Sequence, residues 1–140
     1  MEKKIAGVDT YLCRENGFHP IIICNDWRVA VLNYFDVVEK ELLCRMERHP
    51  ETDEVFVLRD GSAWLITGGD GARPDGIETF PMESGTIYNI RKNVWHHIVM
   101  TPETSVLLVE NADTSEANSE YAELDGGVIA ELKRNIRFNR

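Results

Sequence analysis

The chain has 140 residues, 43% hydrophobic and 28% charged, with 24 acidic and 15 basic side chains and a formal net charge of -9. That size suits one globular domain, and so apolar a composition excludes a disordered chain. The acidic balance argues against nucleic acid and anionic membrane partners, and no apolar run approaches the roughly 20 residues that span a bilayer.

Residues 1–9 are charged and then small, with no apolar core for a signal peptide, so a cytoplasmic protein is expected. Cys13, Cys24 and Cys44 form an odd set without a C-x-x-C pair, which fits reduced thiols. Each has apolar neighbours and is expected as a buried small hydrophobe. Short apolar runs at 21–24 and 27–34, either side of Asn25-Asp26, read as strands. Residues 35–46 have two readings. Val38, Leu42 and Met46 have helical spacing, but a strand starting at Leu43 would put Leu43, Arg45, Glu47 and His49 on one face. Further strands are expected at 55–58 and 63–67, joined by an Asp60-Gly61 hairpin turn, and at 77–80, 86–90, 96–100 and 106–109. Residues 68–76 form a glycine-rich loop, at most a lid. At the end of the chain, Val128, Ile129, Leu132 and Ile136 make one stripe of a helix over about 125–136, with Asp125 as its N-cap. The last eight residues carry four cations and no acid, which suits the C-terminus of a solvated helix.

About eight short strands suit a β-sandwich or barrel. The histidines are His19, His49, His96 and His97. Two stretches around them share a pattern: Glu47-Arg48-His49 followed by Glu54 and Gly61, and Gly85 followed by Arg91, Asn93 and His96. In these residues the sequence resembles the cupin superfamily. His49 stands at the second histidine of the first cupin motif, Glu54 at its glutamate and Gly61 at its glycine. Glu47 stands where that motif has its first histidine. Gly85 and His96 match the ends of the second motif, with Arg91 and Asn93 in place of the usual proline and glycine. Asn tolerates the left-handed turn that this position requires.

The resemblance covers about residues 45–111 and includes a subgroup of small bacterial single-domain cupins. It implies an all-β jelly roll (a double-stranded β-helix) filling residues 1–140 as one domain, with a short helical segment before the first motif and a C-terminal helix. The strands within 5–34 would extend the sheet or exchange with a second subunit of a homodimer. It also implies a divalent metal, Fe, Mn, Ni or Zn, held by His49, Glu54 and His96, with Glu47 as a fourth ligand or a general base. An isomerase or lyase acting on a small sugar or hydroxy acid follows by analogy. The alternative is a metal-free ligand-binding or sensor cupin, in which His49 and His96 hydrogen-bond to Glu54; a mainly structural subunit is a third reading.

Some side chains follow from alternation alone. Phe56 and Leu58 share the face of Glu54, and Ile98 and Met100 share that of His96, which gives an apolar pocket wall. Trp64, Tyr88 and Trp95 are either core aromatics or stacking surfaces, and Trp27 and Arg28 belong to a rim or an interface. His97 is expected on the outer face, and His19 on the surface.

Overall fold

The computed structural model describes residues 5–139. Ten strands run in chain order: β1 (Gly17–Cys24), β2 (Trp27–Asn33), β3 (Arg45–Arg48), β4 (Glu54–Asp60), β5 (Ala63–Thr67), β6 (Glu78–Pro81), β7 (Ile87–Ile90), β8 (His96–Met100), β9 (Ser105–Asn111) and β10 (Glu120–Glu123). They form two five-stranded antiparallel sheets, ordered β1-β2-β9-β4-β7 and β10-β3-β8-β5-β6. Ala30, Phe56 and Leu108 of the first sheet meet Leu65, Ile98 and Met100 of the second in one buried cluster. This is the expected jelly roll.

The two readings of residues 35–46 resolve into two 3-10 turns, Asp36–Val38 and Lys40–Leu42, ahead of β3. These are the short helical segment expected before the first motif, but the spacing of Val38, Leu42 and Met46 makes no continuous α-helix, because the three residues go to different places. Val38 enters the inter-sheet core, Leu42 is exposed, and Met46 packs on the far side of the second sheet. The strand reading therefore holds for Glu47.

Helix α1 (Gly126–Asn135) lies where the stripe predicts. Asp125 is its N-cap residue, but the Asp125 side chain makes no capping hydrogen bond. Leu132 and Ile136 pack on Met46, Ile66 and Val99, so the helix covers the outer face of the second sheet. Lys40 fixes its end by donating to the carbonyls of Lys133 and Ile136. Ile136 is fully buried, and Ile136→Ala is expected to cost about 2–4 kcal/mol in urea unfolding. No helix among the described residues is long and apolar enough to cross a membrane.

Two expectations need correction. The cysteines are not buried hydrophobes: Cys24 and Cys44 are exposed and Cys13 is half-buried. Cys24 ends an edge strand, and Cys44 lies between the buried Leu43 and Met46, so apolar neighbours in sequence did not mean burial. Nor is the 68–76 loop a lid. Gly68 donates to the Trp95 carbonyl, Trp95 donates to that of Gly69, and the Trp95 indole and Arg48 both bind the Gly71 carbonyl.

Candidate functional site

Register in the second sheet sets one row of side chains. Tyr121 pairs with Glu47, Glu47 with His96, and His96 with Thr67. Directly opposed residues share a face, so Glu47 and His96 both point between the sheets. His49 follows β3 immediately, and its carbonyl accepts from the Asn93 amide. Asn93 has φ of 71°, the left-handed conformation expected of it, and so ties the two motifs together. Glu54 enters from the first sheet as the opening residue of β4.

Ligand-type atoms of Glu47, His49, Glu54 and His96 all lie within 4.8 Å of one another. Glu54 Oε1 is 2.9 Å from His96 Nε2 and 3.3 Å from His49 Nε2. Glu47 Oε1 lies 3.9 and 4.0 Å from the same two nitrogens. His49, Glu54 and His96 are buried, while Glu47 is half-exposed.

Hydrogen bonding fixes both tautomers. His96 Nδ1 lies 2.9 Å from the Val94 carbonyl, which can only accept, so Nδ1 carries hydrogen. Ser119 Oγ donates its one hydrogen to the Ser115 carbonyl and so accepts from His49 Nδ1 at 2.8 Å. Both Nε2 atoms therefore face the cluster, the orientation that histidine ligands take when their second nitrogen is held by the protein. Metal–ligand bonds of about 2.0–2.2 Å put neighbouring ligand atoms about 3 Å apart and opposed ones about 4 Å apart. The observed spacings span that range, and two carboxylates with two neutral imidazoles balance a divalent charge. The residues fit such an ion.

The titration pattern follows from the same contacts. Burial opposes charge on His49 and His96, but the hydrogen bond and charge of Glu54 outweigh it and raise both. Burial likewise works to raise Glu54, yet hydrogen bonds from the two histidines hold it well below the usual carboxylate range. Burial raises Glu47, and the attraction of His96 does not reverse the shift. With Nδ1 already protonated, the metal-free pairing of Glu54 with both rings uses their imidazolium forms.

The cluster sits at the base of a cavity of about 310 Å³ walled by side chains including Phe18, Leu32, Phe56 and Ile98. Leu58 and Met100 belong to the core behind it. Trp95 is buried against Arg48, and Tyr88 and Trp64 pack with the core, so these aromatics offer no stacking surface in the cavity. His97 points away from His96 and stays out of the cluster. It is not a simple outer residue, however, because its Nε2 is buried without a hydrogen-bond partner. Burial, with the nearby His96, lowers His97 to about 4. His19 lies outside the site and bonds to the Glu15 and Asn16 carbonyls.

Sequence reasoning missed Glu110 as a site residue. Its Oε1 accepts from Arg28 Nη2 at 2.9 Å and Nε at 3.3 Å, and its carboxyl feels the charge of Glu54. Burial and the charge of Glu54 outweigh Arg28 and push Glu110 up to about 7. Arg28 also donates to the carbonyls of Ala112 and Thr114, just ahead of the turn that carries Ser115 and Ser119. It thus braces both Glu54 and His49 from behind, whereas the sequence left it at a rim or an interface. The signal was available, since alternation along β9 turns Val106, Leu108 and Glu110 all inward.

The sequence profile of the family described as Ureidoglycolate lyase matches residues 18–131. The chain belongs to the ureidoglycolate lyase family. Among curated members, ureidoglycolate lyase of Brucella anthropi is 28% identical over 80 residues, 54% of this chain and 47% of that one. The family's enzyme from Stutzerimonas stutzeri is 29% identical over 100 residues, 66% and 59% of the two chains. The chain spans about half the length of the curated relatives it matches. The cupin fold is shown by solved structures. A cupin-2 domain protein of Shewanella frigidimarina superposes with a TM-score of 0.51 at 20% identity, covering 71% of this chain and 84% of that one. A Streptomyces PAC13 variant with uridine gives 0.55 at 8% identity, covering 79% and 77%.

Proposed function

We propose that the chain is a metal-dependent lyase that cleaves ureidoglycolate, or a close ureido-substituted hydroxy acid, into glyoxylate and urea. The observation that carries this reading is the pair of histidines with both Nε2 atoms turned onto Glu54 and Glu47, in a chain of this family. His49, Glu54 and His96 are the proposed ligands. A divalent ion held there supplies positive charge to the anionic oxygens of such a substrate.

The substrate carbon bears a hydroxyl, a carboxylate and the ureido nitrogen. Cleavage needs the hydroxyl proton removed as the C=O bond forms, and a proton delivered to nitrogen as the C–N bond breaks. Glu47 is the proposed base, since it alone of the four is half-exposed to the cavity. The same carboxyl hands the proton on to the leaving nitrogen, so the reaction balances without another reactant.

The test is urea release from ureidoglycolate by the metal-loaded chain. Glu47→Gln is expected to lower the rate about 10²–10³-fold while the metal stays bound. No urea from the loaded wild type would end the substrate assignment. Arg28→Met, which removes the brace on Glu110, is expected to weaken metal binding about 10–100-fold in a chelator competition.

The sign of the pH dependence follows from the raised histidines. A metal must displace the Nε2 protons, and Glu54 raises both rings above the ordinary value of 6.5. Metal affinity is therefore expected to climb as pH rises through and beyond 6.5, with proton release on binding, which calorimetry in buffers of different ionisation enthalpy measures.

A further inference from the structure

Glu47, Glu54, Glu110 and Glu116 all line the cavity, and the chain as a whole carries a charge of -9. A hydroxy acid enters as an anion, so these walls repel it unless a cation meets it. Arg28 lines the cavity too, but its guanidinium is committed to Glu110 and to the carbonyls of Ala112 and Thr114. Arg48 is committed in the same way, to Glu120 and the Gly71 carbonyl.

Arg45 is exposed and uncommitted. It precedes Glu47 by two residues on β3 and so shares its inward face, while Met46 between them packs on the far side of the sheet. No described residue ion-pairs or hydrogen-bonds with its guanidinium. Glu123 stands directly across on β10, yet Arg45 turns to the diagonal neighbour Tyr121, its guanidinium carbon 4.3 Å from the ring centroid. Tyr121 is the cross-strand partner of Glu47 and a wall of the cavity. The charge of Arg45 accordingly reaches both Glu47 and Tyr121. A guanidinium stacked on a ring keeps its N–H edge free for an acceptor in its own plane.

We propose that Arg45 binds the substrate's carboxylate and so selects α-hydroxy acids, with Glu47 facing the adjacent hydroxyl. The inference rests on the hydroxy-acid part of the reading above. Residues two apart on a strand are about 7 Å apart, a gap that two long side chains close onto neighbouring groups of one small molecule. In an α-hydroxy acid the carboxylate and the hydroxyl sit on adjoining carbons. The guanidinium fork matches both oxygens of a carboxylate, whereas a neutral amide offers it one acceptor and no charge. The stack on Tyr121 holds the fork before the substrate arrives, which reduces the ordering that binding requires.

Calorimetric titration of the metal-loaded chain with glycolate, and with its neutral analogue glycolamide, tests the proposal without turnover. Arg45→Met is expected to weaken glycolate about 10–100-fold and glycolamide by less than about threefold, with metal content and circular dichroism unchanged. Arg45→Lys keeps the charge but not the fork and is expected to recover only part of the loss. Tyr121→Leu, which removes the stack, is expected to weaken glycolate about two- to fivefold. With ureidoglycolate, Arg45→Met should raise KM by the same factor as it weakens glycolate and change kcat little. Glycolate affinity that Arg45→Met leaves intact, or that Arg45→Lys restores in full, overturns the proposal. So does a wild type that binds no glycolate. A wild type that loses glycolate on these substitutions but releases no urea supports Arg45 and ends the ureido assignment alone.

Discussion

His96→Ala is expected to abolish metal retention and to reduce the proposed ureidoglycolate cleavage by about 10³-fold, the rate equivalent of several kcal/mol of lost charge stabilisation. His96 is 2% exposed and opposes Glu54 at 2.9 Å, so the substitution removes a ligand and opens a hole beside a buried carboxylate. Glu54 then loses one of the two groups that keep its pKa low, and the carboxyl moves toward protonation in the metal-free protein. Activity and metal content should fall together, and external imidazole should restore part of both. Loss of activity with full metal content would show that His96 serves the reaction in some other way.

Gly61→Ala is expected to destabilise the fold by about 3–4 kcal/mol in urea unfolding, among the largest single effects available here. Gly61 has φ of 84°, and a Cβ there would lie 2.3 Å from Thr104 Oγ1 and 2.6 Å from Thr104 Cα. That hydroxyl cannot move freely. It accepts from the Ser62 amide at 2.9 Å and lies 2.7 Å from Thr101 Oγ1, and both threonines are buried. Gly85 provides the comparison. Its φ is 83° but the space around it is open, so Gly85→Ala should cost only the about 1–2 kcal/mol of the left-handed backbone. The difference between the two variants measures the contact with Thr104 separately from the backbone term. Equal costs would contradict this reading of the turn.

Much of the architecture was legible because strands announce themselves locally. β5 and β8 lie where apolar alternation puts them, and Asp60-Gly61 closes the β4–β5 turn. β10 was not legible. Glu-Tyr-Ala-Glu offers one buried side chain, Ala122, and the strand exists through its pairing with β3, more than seventy residues earlier. The 35–46 segment misled for a similar reason, since spacing counts apolar residues without saying which layer each will enter. In the site, His49, Glu54 and His96 were readable through the resemblance of two stretches to the cupin motifs. Glu110 could be read as an inward residue of β9, but its partnership with Arg28 could not, because it spans 82 residues and only register on neighbouring strands brings the two together.

The most direct test of the metal centre is the metal content, by mass spectrometry, of tag-free wild type beside His49→Ala and His96→Ala. All three are first incubated with Fe, Mn, Ni or Zn and then dialysed. A metal-dependent lyase built on this cluster requires about one ion per wild-type chain and loss of that ion in both variants. Wild type that retains no ion from any of the four would contradict the metal centre, and would leave a buried Glu54 paired with two histidinium rings in a metal-free binding pocket.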